Sequence, residues 1–353
     1  MMRSTMSDVA RRAGVSKSTV SLVLNGKPNI SSEVRDAVRD AAQALDYRLP
    51  ERYAAALPSE AKTITIIHFD AVQFQFQVGP GVAGLHLYFL QGIEDVLHSS
   101  HVNWSLIANY REGNEHEIAY QMLKGKKLPG DGLILMGIPS RHSWVLQKAI
   151  NDNIPVVALG RDWPELPINT VSQNHYEQTR IALDYLAELG HRKIAFLARE
   201  GDRDIHWFKL RFASYRDSLE KMGAVVEKDL IVVEADVKQA TRDLMIRRPD
   251  VTAIFCINDE PAVDVLHALQ EMGRHVPDDV SVIGLDNSVK YFSADLLAGA
   301  PPLTTVDYPH YQTGRLAAEL LLRHIGDDQI AYSKIYLRSR LVERASCGEV
   351  RRS

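Results

Sequence analysis

The chain has 353 residues, of which 45% are apolar and 24% are charged, and its formal net charge is −4. This length exceeds what one hydrophobic core usually holds and predicts two or three domains. The negative charge excludes a uniformly basic nucleic-acid-binding protein, and no apolar run reaches the ~18 residues that a membrane-spanning helix needs.

The N-terminal region differs in charge from the rest of the chain. Residues 1–57 contain nine Lys or Arg and six Asp or Glu, a balance of +3, which leaves −7 for the remainder. A basic head on an acidic body favours an anionic partner at the N-terminus. No apolar signal segment is visible there, and Cys256 and Cys347 are expected to be reduced thiols, so we expect a cytoplasmic protein.

Three short helices are predicted at the start of the chain. Thr5 and Asp8 form a capping box that opens the first helix, "MSDVARRA". Gly14 supplies a turn, Ser16 is the N-cap of a second helix, "KSTVSLVLN", and Ser31 starts a third, "SEVRDAVRDAAQALDY". A tight turn between the first two of three helices predicts a helix-turn-helix domain.

The second helix has the composition of a helix that enters the major groove of DNA. Its hydroxyl side chains suit hydrogen bonds with phosphates and base edges, and Lys17 suits a phosphate or a guanine edge. These hydroxyls belong to Ser16, Ser18, Thr19 and Ser21. The alternative is a small three-helix packing module, which a helix so rich in Ser, Thr and Lys disfavours.

The segment "SDVARRAGVSKSTVSLVLNGKPNIS" resembles the DNA-binding head of the lac-repressor (LacI/GalR) family. The resemblance implies that Lys17 and Ser18 read bases. The family commonly has Arg where this chain has Leu22, which makes contact with a thymine methyl possible and a bidentate guanine contact impossible. The implied DNA-contacting residues of this head, residues 1–49, are Met6, Ser16, Lys17, Ser18, Thr19, Ser21, Leu22, Asn25, Asn29, Ser31 and Tyr47.

Residues 50–62 are predicted to form a hinge. Pro50 can start a helix and Pro58 stops it, and the two turns between them are too short to be stable alone in water. A plain flexible linker is the alternative. The resemblance implies a hinge helix that orders on DNA, with Leu57 wedged into the minor groove and Ala54 packed beside it.

From residue 63 onward, apolar runs alternate with amphipathic helices. "TITIIHF", "GLILMGI" and "IPVVALG" are predicted strands of a first half, and "KIAFLA", "AIFCIN" and "VSVIGLD" of a second. This pattern predicts an α/β fold with doubly wound parallel sheets in two lobes and a ligand cleft between them. It resembles the effector-binding core of the same family, which has the periplasmic-binding-protein fold. The implied core spans 63–353, with lobe 1 at about 63–162 and 288–327 and lobe 2 at about 163–287 and 328–345.

The resemblance also implies residues that bind an effector in the cleft. Arg211 in "KLRFASYR" would grip sugar hydroxyls or an anion, Asp286 in "GLDN" would accept from the ligand, and Trp207 would stack on a sugar face. The full implied set is Asp70, His86, Arg161, Trp207, Arg211, Asn258 and Asp286. A surface ion pair or a strand-end cap is the alternative role for each polar member. Val237 replaces a usual aromatic residue and Gln173 a common Asp, which favours a ligand other than the commonest sugars.

Motifs of enzymes are weak in this chain. Gly79, Gly81 and Gly84 satisfy G-x-G-x-x-G, but the loop is long and the next strand does not end in the acid that would bind a ribose. No metalloprotease, Walker A or serine-hydrolase motif occurs, so we expect no cofactor and no metal.

The sequence therefore predicts a ligand-responsive transcriptional regulator, most consistent with a repressor, and not an enzyme. A homodimer would place two heads on a pseudo-palindromic operator, and effector binding would close the lobes. The absence of a Leu-heptad tail favours a dimer over a tetramer. Two alternatives stay open: an α/β enzyme of sugar or nucleotide metabolism with an accessory DNA-binding head, and a binding protein whose head contacts other proteins.

Overall fold

The structure is a computed structural model of the chain. It describes residues 5–24, 30–45, 47, 62–69, 81–110, 130–137, 141–161, 163, 165–203, 205–291, 294–326 and 331–350. The chain divides into two compact units, Met1–Lys62 and Thr63–Ser353.

The first unit contains the three predicted helices, α1 (Met6–Ala13), α2 (Lys17–Leu24) and α3 (Ser32–Ala44). The third helix ends three residues before the predicted Tyr47. Apolar side chains from all three helices form one small core, in which Val9, Val20 and Val38 are each 0% exposed. Burying a valine side chain contributes roughly 1.5–3 kcal/mol, so these contacts hold helices that would not persist alone.

Local capping sets where these helices begin and end. The Thr5 backbone N–H donates to Asp8 Oδ2 over 2.9 Å, which is one half of the predicted capping box. Gly14 ends α1 with φ 66°, a left-handed conformation that favours glycine. Ser16 Oγ accepts from the Thr19 N–H at 3.0 Å and Ser31 Oγ from the Val34 N–H at 3.4 Å, so both serines cap the helices that they precede.

The second unit contains two six-stranded sheets. In the first sheet all strand pairs are parallel, and the strand order is β11-β5-β4-β3-β1-β2. Its strands are β1 (Thr63–Phe69), β2 (Asn103–Tyr110), β3 (Gly132–Met136), β4 (Val156–Leu159), β5 (Asn169–Gln173) and β11 (Lys334–Leu337). The helices α4 (Gly81–Ser99), α5 (Trp144–Asn151) and α10 (His310–Gly326) contribute apolar side chains to its two cores.

The second sheet has the order β12-β10-β9-β8-β6-β7 and is parallel except for β12. Its strands are β6 (Ile194–Arg199), β7 (Ile231–Glu234), β8 (Ala253–Cys256), β9 (Ser281–Asp286), β10 (Thr304–Asp307) and β12 (Arg340–Val342). Its helices are α6 (His175–Glu188), α7 (His206–Lys221), α8 (Val237–Arg247) and α9 (Asp259–Glu271). Apolar side chains of these strands and helices form two cores on this sheet, as the predicted alternation of strands and amphipathic helices requires.

The chain crosses between the two sheets later than at the expected positions near 162, 288 and 328. β5 still belongs to the first sheet and β10 to the second, so the crossings lie at 173–175, 307–310 and 337–340. The first crossing was expected too early because β5 buries polar side chains, with Asn169 0% and Thr170 1% exposed. A buried strand of this composition is not recognised from apolar runs.

The helices α4 and α10 touch through glycines. A Cβ atom on Gly314 would lie 2.1 Å from the Phe89 carbonyl oxygen, and one on Gly92 would lie 2.1 Å from the Tyr311 carbonyl oxygen. The two backbones therefore approach so closely that no side chain fits between them. This contact fixes Phe89 relative to the start of α10.

The glycine motif lies partly within a helix. α4 begins at Gly81, so Gly81 and Gly84 are helical and do not form a phosphate-binding loop. Gly79 and the hinge through residue 61 lie outside the described residues. Within the described ranges, no helix is long and apolar enough to cross a membrane.

Candidate functional site

The first unit presents a polar helix start with one exposed apolar side chain. Ser16 Oγ lies 2.7 Å from both Ser18 Oγ and Thr19 Oγ1, which gathers three hydroxyls at the N-terminus of α2. Lys17 is exposed beside them. Backbone N–H groups at this end of a helix favour phosphate oxygens, and the hydroxyls add donors and acceptors.

Leu22 is 43% exposed, although its neighbours Val20 and Val23 are buried in the head core. The side chain therefore does not serve the packing of the three helices. An exposed leucine beside a polar helix start can contact an apolar group of a partner, such as a thymine methyl.

The other predicted DNA contacts differ in their surroundings. Met6 and Tyr47 are partly buried against the head core, so both have a packing role, and Ser21 is half-buried. Ser31 is exposed and caps α3. The predicted contacts that lie outside the described residues are Asn25, Asn29, Ala54 and Leu57.

The second unit contains a partly open cavity of about 140 Å³ at the carboxyl ends of strands from both sheets. Leu159 and Gln173 end strands of the first sheet, and Asp286 ends β9 of the second. Ligands in doubly wound folds bind at this edge. The lining residues are His86, Phe89, Met136, Gly137, Leu159, Gly160, Gln173, His175, Trp207, Arg211, Asn258, Glu260, Asp286, Ser288, Tyr308 and His310.

Arg211 is the most constrained polar residue of this cavity, at 1% exposure. Its Nη2 donates to Asp286 Oδ1 at 2.6 Å, and its Nη1 donates to the Ile257 carbonyl at 2.6 Å. Its guanidinium carbon lies 4.9 Å from the ring centroid of Trp207, a cation–π distance. Asp286 meets this arginine from a left-handed backbone conformation, φ 87°, which is strained for a non-glycine residue.

Several buried polar atoms of lining residues have no hydrogen-bond partner within the described part of the chain. They include Gln173 Oε1 and Arg211 Nε. A buried polar group without a partner costs about 1–3 kcal/mol. A polar molecule in the cavity would pair with such atoms and remove that cost.

The histidines around the cavity are held neutral. Burial lowers the pKa of His86 to about 3, with His68 and His310 adding to the effect. Burial likewise lowers the pKa of His310 to about 4 and places the pKa of His175 well below its usual value. Neutral imidazoles offer one donor and one acceptor each, which suits hydroxyl groups.

The acidic side chains of the cavity are balanced in different ways. Asp286 is paired with Arg211, whereas burial raises the pKa of Glu260 to about 7 although Arg199 Nη1 lies 3.2 Å from its Oε2. The lining therefore offers one ion pair, several neutral donors and acceptors, and the apolar surfaces of Phe89 and Trp207.

Two family models match this chain. The model for bacterial regulatory proteins of the lacI family matches residues 5–49, and the model for the periplasmic binding protein-like domain matches residues 183–347. The HTH-type transcriptional regulator CelR of Thermobifida fusca is 31% identical over 98% of both chains. The chain belongs to the lacI family of bacterial regulatory proteins.

Solved structures agree with this lacI-family assignment. The transcriptional regulator CelR–cellobiose complex is 30% identical, covers 98% of this chain and 100% of its own, and has a TM-score of 0.66. The lac repressor dimer bound to operator and the anti-inducer ONPF shares the fold, at 23% identity over 98% and 99% of the two chains, with a TM-score of 0.65. The predicted family and fold class are confirmed. The alternative of an α/β enzyme with an accessory head is not supported, since this family consists of regulatory proteins.

The structure of this lacI-family chain brings most of the predicted effector residues together. His86, Trp207, Arg211, Asn258 and Asp286 all line the one cavity. Asn258 also caps α9, because its Oδ1 accepts from the Glu260 N–H at 3.2 Å. It therefore has the cap role that was named as the alternative and also lines the cavity.

Arg161 and Asp70 stand apart from this group. Arg161 is not among the lining residues described here, and its guanidinium carbon instead lies 4.8 Å from the Trp163 ring centroid. Its neighbour Gly160 lines the cavity in its place. Asp70 lies outside the described residues.

Sequence reasoning missed a second group of lining residues, namely Phe89, His175, Glu260, Ser288, Tyr308 and His310. His175 lies two residues after the end of β5, and Tyr308 directly follows β10. The signal that could have found them is their position after a strand, but neither strand was predicted, and the expected lobe bounds put residues 169–173 in lobe 2 and residues 304–307 in lobe 1. Gln173, noted only as a departure from the family, turns out to donate from Nε2 to His175 Nδ1 at 3.2 Å.

Proposed function

We propose that this lacI-family protein is a repressor that binds a pseudo-palindromic operator as a homodimer and releases it in response to an uncharged, sugar-like metabolite. Residues 1–49 form the operator-binding head, 50–62 the hinge, and 63–353 the effector-binding and dimerisation core. The single observation that carries the proposal is the cavity, in which some buried polar atoms have no hydrogen-bond partner among the described residues, in a chain with an exposed polar helix in its head. Because such a regulator acts on chromosomal DNA, we place it in the bacterial cytoplasm.

The head would contact DNA through the start of α2. Lys17 and Ser18 are exposed there and would reach base edges, while the hydroxyls of Ser16 and Thr19 would donate to phosphate oxygens. Leu22 would contact a thymine methyl. Half-sites read by two such heads lie about 10 base pairs apart, centre to centre, or at multiples of that spacing.

The charges of the cavity indicate an uncharged effector. A ligand anion would face Asp286 and Glu260, and a ligand cation would face the buried Arg211. A neutral polyol can accept from the arginine, donate to the carboxylate and pair with neutral imidazoles without either repulsion. Phe89 and Trp207 would cover the apolar faces of its ring.

The size of the cavity indicates one ring. The described residues leave about 140 Å³ in this partly open cavity, close to the ~150 Å³ of a protein cavity that holds a single six-membered ring. We therefore favour a monosaccharide or a molecule of similar size. The relative CelR is known in complex with cellobiose, which has two rings, so the size of the effector is a direct point of comparison.

Binding between two lobes would change the operator affinity by closing them. The cavity draws side chains from both sheets, so a ligand that pairs with Gln173 on one side and Arg211 on the other stabilises the closed arrangement. Linkage then requires that operator binding and effector binding change each other's affinity by the same factor.

The test uses the full chain in two stages. Selection from a random duplex pool should yield a palindromic consensus, and fluorescence anisotropy should show affinity that falls steeply with salt. A thermal-shift panel of neutral monosaccharides, cellobiose, nucleosides and hexuronic acids should then give a stabilising neutral one-ring compound that also releases the DNA. Light scattering should give the mass of two chains.

A matched pair of variants identifies the site. Gln173→Ala should abolish the ligand shift, because the side chain lines the cavity, while Gln239→Ala, at an exposed glutamine, should retain it. Ligand binding that survives Gln173→Ala at full strength would place the effector elsewhere. Absence of any selected DNA, or salt-independent retention, would favour a protein-binding role for the head.

A further inference from the structure

Glu260 brings a second carboxylate to the effector cavity, besides that of Asp286. It is the second residue of α9, and its side chain is 18% exposed. An ionised side chain that is largely removed from water lowers stability unless hydrogen-bond donors compensate for the lost hydration. The partners of its two oxygens therefore indicate whether the side chain serves the fold or a ligand.

One oxygen of this carboxylate has a partner in the described part of the chain. Nη1 of Arg199, the last residue of β6, donates to Glu260 Oε2 over 3.2 Å. No described residue donates to Glu260 Oε1. An ionised carboxylate can accept roughly four hydrogen bonds, so Oε1 is available for donors that a ligand brings into the cavity.

Arg199 has a counterion without Glu260. Its Nη2 donates to Asp264 Oδ2 at 2.8 Å, one turn further along α9. The Arg199 backbone N–H donates to a further acid, Asp202, whose Oδ2 lies 3.2 Å away. The shorter contact with Asp264 balances the guanidinium charge, so Glu260 is an acid in excess of what this ion pair needs.

Acids outnumber bases around Glu260. The charged groups that face it are Arg199 at the end of β6, Asp202 in the turn that follows, Asp264 on α9 and Asp286 at the end of β9. Burial raises the pKa of Glu260 to about 7, and the three surrounding aspartates add to the effect of burial. A hydroxyl that donates to this side chain would favour its ionised form.

We propose that Glu260 is a specificity-determining residue of the effector site, which accepts a hydrogen bond from an effector hydroxyl at Oε1. This inference rests on the proposed function and narrows its ligand class. Because Asp286 also accepts from the ligand, the effector donates hydroxyls to two separate carboxylates. It is therefore a polyol that retains several free hydroxyl groups, and removing one of them leaves a carboxylate in the cavity without its donor.

Effector binding is linked to the proton of Glu260. A carboxylate accepts a hydroxyl hydrogen bond more strongly than a neutral carboxyl group does. At pH 6 most molecules carry the proton, and at pH 8 few do. Effector affinity should therefore rise with pH, by about tenfold between pH 6 and pH 8.

The test is calorimetric titration of the full chain with D-glucose, D-galactose, D-ribose and cellobiose at pH 6, 7 and 8. For a sugar that binds the parent chain, Glu260→Gln should weaken binding at pH 8 by about tenfold and remove its pH dependence, because glutamine keeps the shape but not the charge. Asp264→Asn should move the midpoint of the pH profile to lower pH, because it removes a charge that raises the pKa of Glu260.

A matched control and two outcomes separate this inference from the proposed function. Glu188→Gln alters an exposed glutamate outside the cavity lining and should change neither the affinity nor its pH profile, and circular dichroism should show that each variant is folded. The inference alone is overturned if a sugar whose binding Gln173→Ala abolishes binds Glu260→Gln with the affinity and pH dependence of the parent chain. Binding of none of the four sugars at any pH would overturn it together with the proposed sugar-like effector.

Discussion

Arg211 and Asp286 are joined by an ion pair of 2.6 Å in a place where the arginine side chain is 1% exposed. The same guanidinium donates to the Ile257 carbonyl, just beyond β8, and so ties strand ends of the second sheet together. The residue most suited to bind an effector is thus also part of the fold. Its substitution should affect both ligand binding and stability, and the two effects must be separated.

Asp286→Asn is the variant that separates them. It keeps the shape of the side chain but removes the charge, so the hydrogen bond to Arg211 loses its ionic component. We expect the free energy of unfolding to fall by about 1.5–3 kcal/mol and the thermal shift given by the effector to disappear. Urea unfolding and the ligand panel measure the two effects.

Arg211→Ala should lower the free energy of unfolding more than Asp286→Asn does. It leaves the Asp286 carboxylate without its cation and is expected to cost about 3–5 kcal/mol. Operator affinity measured on whatever fraction is folded should be unchanged, since the head has its own core. An effector shift of full size in either variant would show that this ion pair does not bind the ligand.

Leu22→Arg should change which base pair is preferred at one position of each half-site. The exposed leucine suits a thymine methyl, whereas arginine donates two hydrogen bonds to guanine, a difference worth about 1–3 kcal/mol in discrimination. Fluorescence anisotropy on operators with single substitutions measures it. Lys17→Ala is the matched comparison: a loss confined to one operator position would assign Lys17 to a base edge, and a uniform loss would assign it to a phosphate. An equal loss on every operator for Leu22→Arg would mean that Leu22 only packs.

Gly314→Ala should lower stability and disturb the cavity together. The added Cβ would lie 2.1 Å from the Phe89 carbonyl oxygen, so α4 and α10 must separate, which typically costs about 1–3 kcal/mol. Because Phe89 lines the cavity, effector affinity should fall as well. Urea unfolding and calorimetry with the identified effector are the measurements.

Gly132→Ala is the control for that prediction. Its Cβ would meet the ends of the Ile325 and Leu321 side chains, at 2.7 and 3.0 Å, and these can rotate away. It should therefore cost less than Gly314→Ala and leave effector affinity near that of the parent. Equal effects of the two substitutions would show that the glycine contact between α4 and α10 is not the reason for the loss.

The parts of this protein that sequence reasoning predicted are those set by local signals. Thr5, Gly14 and Ser16 act on backbone groups within four residues of themselves, so the head helices begin where the sequence indicates. Arg211 and Asp286 were found because each lies in a run that resembles the family's core. No such run surrounds Arg161, and its expected role in the cavity has no support in the lining described.

The missed residues depend on long-range pairing. Tyr308 and His310 reach the cavity only because β10 pairs with β9 of the second sheet and the chain then crosses to pack α10 on the first. His175 depends in the same way on β5, whose buried Asn169 and Thr170 conceal the strand. Neither crossing leaves a periodic pattern in the sequence.

His86→Leu should make the stability of the chain less dependent on pH in the acidic range. Burial lowers the pKa of His86 to about 3, against about 6.5 in an unfolded chain. Between these values the unfolded state binds a proton at His86 that the folded state does not. His86 therefore lowers the stability of the parent by about 1.4 kcal/mol for each unit by which the pH falls. Glu260, whose pKa burial raises to about 7, acts in the opposite direction, but the difference between parent and variant removes its contribution. Urea unfolding at several pH values between 4 and 6 should therefore give the variant a slope shallower by about 1.4 kcal/mol per pH unit, and equal slopes would mean that His86 is protonated in the folded chain.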